Sequence, residues 1–427
     1  MAGVTDSERQ FSRDDYFQDP QKYFARLREK RPVTPVNLPG ARRAWLVTRY
    51  EDVRAALADP RLAKDPRKLY PDWEPGPVQA MFSLHMLNLD PPDHTRLRRL
   101  VQKAFTPGRV SALRPRVEEI TTALLDATEA TAAESGDGVV DLLGQFAFRL
   151  PITVICELLG VPARDQDDFR DWTSALLSSD RQPEADEERE RDTSRDAAHA
   201  MFDYFARLIA AKRESPADDL LSALISVRDG AGPGNGASPG NGAGSGDALT
   251  EGELFAMVFL LLVAGFETTV NLIASGTLAL LTFPDQMARL REDPSLLPAA
   301  VEELLRYTNP LNHATERFTV ADLPIGDVVI PAGEPVTLVT SAANRDPGRF
   351  GDPDQLDLTR DASGHVAFGH GIHYCLGAPL ARLEGEVAFG ALLPRFPGLS
   401  LAVPPSQLRW RPSSLFHGLE SLPVRLS

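Results

Sequence analysis

The chain has 427 residues, a quarter of them charged, with a formal net charge of −15. That length suits one large domain or two to three ordinary ones, and the acidity argues against nucleic acid as a general partner. Two cysteines exclude a disulfide framework, and the polar opening "MAGVTDSERQFSRDDYF" lacks the apolar core of a secretory signal, so a cytoplasmic protein is expected.

Residues 1–14 read as a loose arm. "PQKYFARLREKRPV" and "YEDVRAALADP" are amphipathic helices around a short strand, "AWLVT". "PVQAMFSLHMLNLD" reads as a flexible, Met-rich apolar loop, and "PPDHTRLRRLVQKAF" as a basic helix opened by prolines. "RQPEADEERERDTSRDAAHA" is a solvated helical face or a mobile connection, and "MFDYFARLIAAKRE" and "DDLLSALISVRDG" are further helices. Residues 229–248, rich in Gly, Pro, Ser and Asn, have no apolar face to bury and read as a flexible insertion within one domain spanning 1–427. Thr250 and Glu253 predict a capping box, and a helix from there to Phe283 would be roughly 45 Å long. Between Leu254 and Phe283 the only charge is Glu267. Such a run invites a membrane reading, but a polar cluster at its middle and acidic residues at its entry favour a buried helix of a large soluble core. "DVVIPAG", "PVTLVTSA" and "LPVRL" complete a short list of strands. The expected fold class is mainly α with a minor β-sheet region.

Near the C-terminus, "FGHGIHYCLGAP" places Cys375 among glycines and histidines. Cys156, in "ITVICELLG", suits a buried structural thiol, whereas the surroundings of Cys375 do not. The glycine spacing is not that of a dinucleotide loop. Metal ligation remains. Zinc could recruit His365, His370 and His373 with Cys375, but only one sulfur is available; heme iron needs only one thiolate.

At this point the sequence resembles the heme-thiolate monooxygenases of the cytochrome P450 superfamily. The resemblance runs from about residue 14 to 425 and rests on four motifs in order: "HTRLRRLVQKAF", "AGFETT", "EELLR" and "FGHGIHYCLG". It implies the fold of that family, with heme b held between the long central helix and the Cys-containing loop, and Cys375 as axial ligand. It further implies propionate contacts from His94, Arg98, Arg317 and His373, and heme contacts from Ala264, Gly265, Phe368, Gly369 and Gly377. Glu267 and Thr268 would form the proton relay, on a helix expected to kink at Gly265, with the Thr268 hydroxyl bonding the Ala264 carbonyl. Glu303 and Arg306, joined by Arg360, are implied as a fold element rather than a catalytic one.

The resemblance implies a cycle that uses dioxygen and electrons drawn ultimately from NAD(P)H. No flavin or nicotinamide domain is present, so a ferredoxin and its reductase would deliver them. Arg96, Arg99, Lys103 and Arg109 form a candidate docking patch. Met81, Phe82, Leu84, Ala264, Leu311 and Phe416 are candidate substrate-pocket walls, with core packing an equal alternative for each. The likeness leans towards bacterial hydroxylases of macrolide-type polyketides, acting as monomers away from membranes. The competing classes are a non-catalytic heme sensor or carrier and a zinc hydrolase.

Overall fold

The structure, a computed structural model, describes residues 13–37, 43–102, 105–177, 187–229 and 248–427. In chain order the first elements are α1 (Arg13–Gln18), α2 (Pro20–Lys30), β1 (Val33–Asn37), β2 (Arg43–Val47), α3 (Tyr50–Leu57) and β3 (Leu62–Ala63). They are followed by α4 (Pro77–Ser83), α5 (Asp93–Gln102), α6 (Pro107–Ala112), α7 (Arg114–Glu134), β4 (Val139–Asp141) and α8 (Arg149–Leu159). Next come α9 (Gln166–Leu177), α10 (Glu187–Glu214), α11 (Leu220–Asp229), α12 (Glu251–Thr282), α13 (Pro284–Glu292) and α14 (Leu297–Thr308). The remainder is β5 (Arg317–Thr319), β6 (Leu323–Ile325), β7 (Val328–Ile330), β8 (Pro335–Leu338), α15 (Thr340–Ala343), α16 (Ala378–Arg395), β9 (Ser400–Leu401) and β10 (Pro423–Arg425).

The central helix α12 organises the molecule. Thr250 caps it: its hydroxyl accepts the Glu253 N–H and the Glu253 carboxylate accepts the Thr250 N–H, as the sequence predicts. The helix is long and apolar enough to cross a membrane, yet 72% of its most apolar window is buried against protein. α4, α8, α14 and α16 pack around it and share one hydrophobic core. The main sheet has the order β1-β2-β8-β5-β3, with β2 and β8 parallel and the other pairs antiparallel, and it carries a second core with α3.

Several expectations need correction. The helix α12 runs unbroken through Gly265. The glycine serves packing instead, since a Cβ there would lie 2.9 Å from Ile155 of α8. The Met-rich segment is not simply a loop: α4 seats Met81 fully in the core, with Phe82 and Leu84 packed against it. The first helix begins at Arg13; residues 1–12 of the proposed arm, residues 230–247 of the insertion, and Lys103 lie outside the described residues.

The fold element implied by the third motif is present. The Glu303 and Arg306 side chains are both fully buried, and Arg306 Nε donates to Glu303 at 2.7 Å while Arg360 reaches the same carboxylate at 3.2 Å. Arg306 also donates to the Asn344 and Pro353 carbonyls, pinning the segment that leads to the cysteine loop.

Candidate active site

Two chain turns create the cysteine loop. Gly369 and Gly371 both have positive φ, at +73° and +77°. A Cβ on Gly371 would also meet the Leu57 carbonyl oxygen at 3.0 Å, so glycine is required there twice over. The Cys375 N–H donates to the Phe368 carbonyl at 3.0 Å, and α16 starts three residues after the cysteine. The sulfur therefore sits at the positive end of an 18-residue helix. Burial pushes the thiol pKa up; the Gly377 and Ala378 N–H groups and the charges of Arg98 and Arg382 pull the other way. Cys375 is exposed to the cavity that opens above the loop. Cys156 is buried in α8 and does not line this cavity, and burial drives its pKa up to about 12.

The cavity lies between the cysteine loop and α12. Its walls include every heme contact inferred from the sequence: His94, Arg98, Ala264, Gly265, Arg317, Phe368, Gly369, His373, Cys375 and Gly377. α5 brings His94 and Arg98 to one face, four residues apart, and the His94 and His373 rings lie 4.4 Å apart. Arg98 donates to the Tyr374 carbonyl at 2.7 Å, and Arg317, on β5, to the Thr315 carbonyl at 2.8 Å.

This end of the cavity has too little negative charge. Burial and then Arg98 push the His94 pKa down to about 4, and burial together with Lys64 and other nearby cations takes His373 to about 2. Burial lowers Arg317 to about 10 and holds the buried Lys64 ammonium well below its ordinary value. Asp90 and Glu316 are nearby carboxylates, and Asp90 already accepts the Lys64 and Asp65 N–H groups and pairs with Lys68 at 2.9 Å. His94 Nδ1 is buried without a partner. A flat group with two carboxylates, one thiolate bond and an apolar body fits this donor set, and heme has that chemistry. Zinc does not fit: among the described residues no three His, Cys, Asp or Glu side chains cluster, and His365 is engaged by Glu302 at 3.2 Å.

On the α12 side, Thr268 lines the cavity and its hydroxyl donates to the Ala264 carbonyl at 3.3 Å. Glu267 does not line it; the side chain is buried and ion-paired with Arg411. Of the expected pocket walls, Ala264 and Leu311 line the cavity. Met81, Phe82, Leu84 and Phe416 do not: the first three belong to the core around α4, and Phe416 pairs with Leu311 in an antiparallel bridge. Met86, Leu87, Leu260 and Leu261 take their place. The two α12 leucines were findable, because steps of four and seven or eight residues back from Thr268 stay on one helix face. Glu384 of α16 carried no sequence signal of its burial: it is 1% exposed, and burial pushes its pKa well up while a hydrogen bond with the Thr269 hydroxyl pulls the other way. The expected docking patch also changes, since Arg96 is tied to Glu253 and to the Ala248 carbonyl.

Comparison with known proteins agrees with this geometry. The cytochrome P450 family model matches residues 10–408. The chain is 52% identical to "Cytochrome P450 107B1" of Saccharopolyspora erythraea, over 96% of each chain. It is 47% identical to "6-deoxyerythronolide B hydroxylase" of the same organism, over 97% of each. Its fold matches the tirandamycin C-bound P450 monooxygenase TamI with a TM-score of 0.84 at 48% identity, covering 97% of this chain and 99% of that one. A cavity built for a heme dicarboxylate over a single cysteine, on this fold and with these relatives, places the chain in the cytochrome P450 family of heme-thiolate monooxygenases.

Proposed function

We propose that this monooxygenase hydroxylates or epoxidises a bulky apolar small molecule, a macrolide or related polyketide, using electrons from a ferredoxin. The observation that carries this reading is one cavity shared by Cys375 and Thr268, with a largely apolar wall that includes Met86, Leu87, Leu260, Leu261, Ala264 and Leu311. The kinship with macrolide and polyketide hydroxylases supports the substrate class.

A bound heme would supply the redox chemistry of dioxygen activation. The chain's own residues do the rest. The Gly377 and Ala378 N–H groups and the start of α16 favour the charged sulfur of Cys375. His94, Arg98, Arg317 and His373 would hold the two carboxylates of a bound heme. The Thr268 hydroxyl gives its proton to Ala264 and keeps its lone pairs for a water in the cavity. Glu267, one residue away and ion-paired with Arg411, is the acid through which that water is replenished with protons. The apolar wall excludes bulk water and selects bulky apolar substrates. Arg99 and Arg109, on the exposed side of α5 and at α6, suit docking of an acidic ferredoxin to a cytoplasmic monomer.

Titration of the ferric protein with macrolactones tests the substrate class. The account expects a substrate-induced shift of the Soret band, and a product heavier by one oxygen atom. Binding of fatty acids or small terpenes, with no response to any macrolactone, would count against it. Charge reversal at Arg99 and Arg109 is expected to slow ferredoxin-driven turnover and spare turnover driven by hydrogen peroxide; equal loss of both would reject the docking face.

A further inference from the structure

The segment from Trp410 to Leu419 folds back on itself and covers the outer side of α12. Trp410 bridges Leu419, Phe416 bridges Leu311 of the cavity wall, and the Arg411 N–H donates to the Gly418 carbonyl at 2.8 Å. From this turn Arg411 reaches α12, ion-pairs with Glu267 and donates to Asn271 Oδ1 at 2.9 Å. Gly418 leaves the room for this: a Cβ there would overlap both the Asn271 amide and the Arg411 guanidinium. Glu267, Asn271 and Ser275 are four residues apart in succession, so they form one polar stripe on a mostly apolar helix. All three are buried, at 5%, 0% and 4% exposure, whereas the Arg411 side chain is 29% exposed. Asn271 Nδ2, Ser275 Oγ and Arg411 Nε are buried without partners, which leaves polar capacity for water along the stripe.

We propose that Arg411 is a positioning residue for proton supply: it holds Glu267 on the outer side of α12, beside a polar route to solvent, and so feeds Thr268 from behind. The inference rests on the relay reading of Glu267 and Thr268 given above. A buried carboxylate needs a partner, and the partner here is the member of the cluster that touches water. A side chain serving only to clasp the C-terminal segment would not need to ion-pair with the acid next to Thr268.

The test uses the intact holoenzyme with its ferredoxin and reductase. Arg411→Met removes the pair, and Arg411→Gln keeps hydrogen bonding to Asn271 without the charge, carrying the test should the first variant fail to fold. Heme content and the substrate-induced spectral shift are expected to match the wild type. Product formed per reductant consumed is expected to fall several-fold and the solvent isotope effect on turnover to rise, with Arg411→Lys recovering most of the loss. In a Glu267→Gln background Arg411→Gln is expected to add no further loss, because it acts through that acid. Wild-type coupling in the Arg411 variants alongside an uncoupled Thr268→Ala overturns the inference, as do losses that add in the double variant. Coupled turnover in Thr268→Ala overturns the relay reading beneath it.

Discussion

The fold holds two clusters of buried charge, and they differ in how their charges are met. Around Glu303, one carboxylate meets Arg306 and Arg360, and the remaining guanidinium hydrogens go to backbone carbonyls. Around His94, Arg98, Arg317, His373 and Lys64, the two arginines have no carboxylate partner among the described residues, and the histidines are pushed to their neutral forms. Burial alone therefore does not mark a functional site. The first cluster satisfies itself and braces the fold; the second awaits negative charge from a ligand.

The difference predicts opposite responses to mutation. Glu303→Gln strands two guanidinium groups in the interior and should cost about 3–5 kcal/mol, a large share of a typical domain's stability. Thermal unfolding with and without heme should show the loss in both forms. Arg317→Met removes one cation from the unbalanced cluster. It should leave the apo-protein as stable as before or more so. It should also speed heme transfer to an acceptor globin about tenfold to a hundredfold, the value of a charge-assisted hydrogen bond of about 1.5–3 kcal/mol. A destabilised apo-protein with normal heme retention would reverse the assignment of the two clusters.

Acid sharpens the contrast. In the apo-protein His94 and His373 have folded pKa values of about 4 and about 2, below the ordinary value of 6.5. The unfolded chain thus binds more protons between about pH 6.5 and 4, and apo stability falls as pH drops through that window. Heme carboxylates beside the rings favour the protonated forms, so the holo-protein should show a flatter profile. Equal slopes for the two forms in melting temperature against pH would contradict this.

The smallest effect separates cavity from core. Met81→Leu is a near-isosteric change in the packing around α4 and should cost less than about 1.5 kcal/mol while leaving substrate affinity unchanged. Leu311→Ala, on the cavity wall, should weaken the substrate-induced spectral shift. Unchanged affinity in Leu311→Ala would remove that residue from the site.

Features written within one short segment were legible from the sequence. The capping box at Thr250, the shared face of His94 and Arg98, the Thr268–Ala264 bond and the glycine turns before Cys375 all follow from spacing. Pairings across long stretches of chain were not. Nothing near Glu267 announces Arg411, and nothing near Arg96 announces Glu253. Pocket walls depend on pairings of the same kind: an apolar side chain such as Met81 carries no sign of which neighbour it will face until α4 is docked on α12. Gly265 was legible as a special position, but its cause, the approach of Ile155, belongs to another helix.

The claim that Cys375 is the thiolate ligand of a heme in this cavity is tested most directly by the carbon monoxide spectrum of the reduced protein. The account predicts a strongly red-shifted Soret band in the wild type and in Cys156→Ser. In Cys375→His some heme should remain while the red-shifted band and oxygenation are lost, because imidazole is a weaker donor than thiolate. A red-shifted band that survives in Cys375→His, or that disappears in Cys156→Ser, would contradict it.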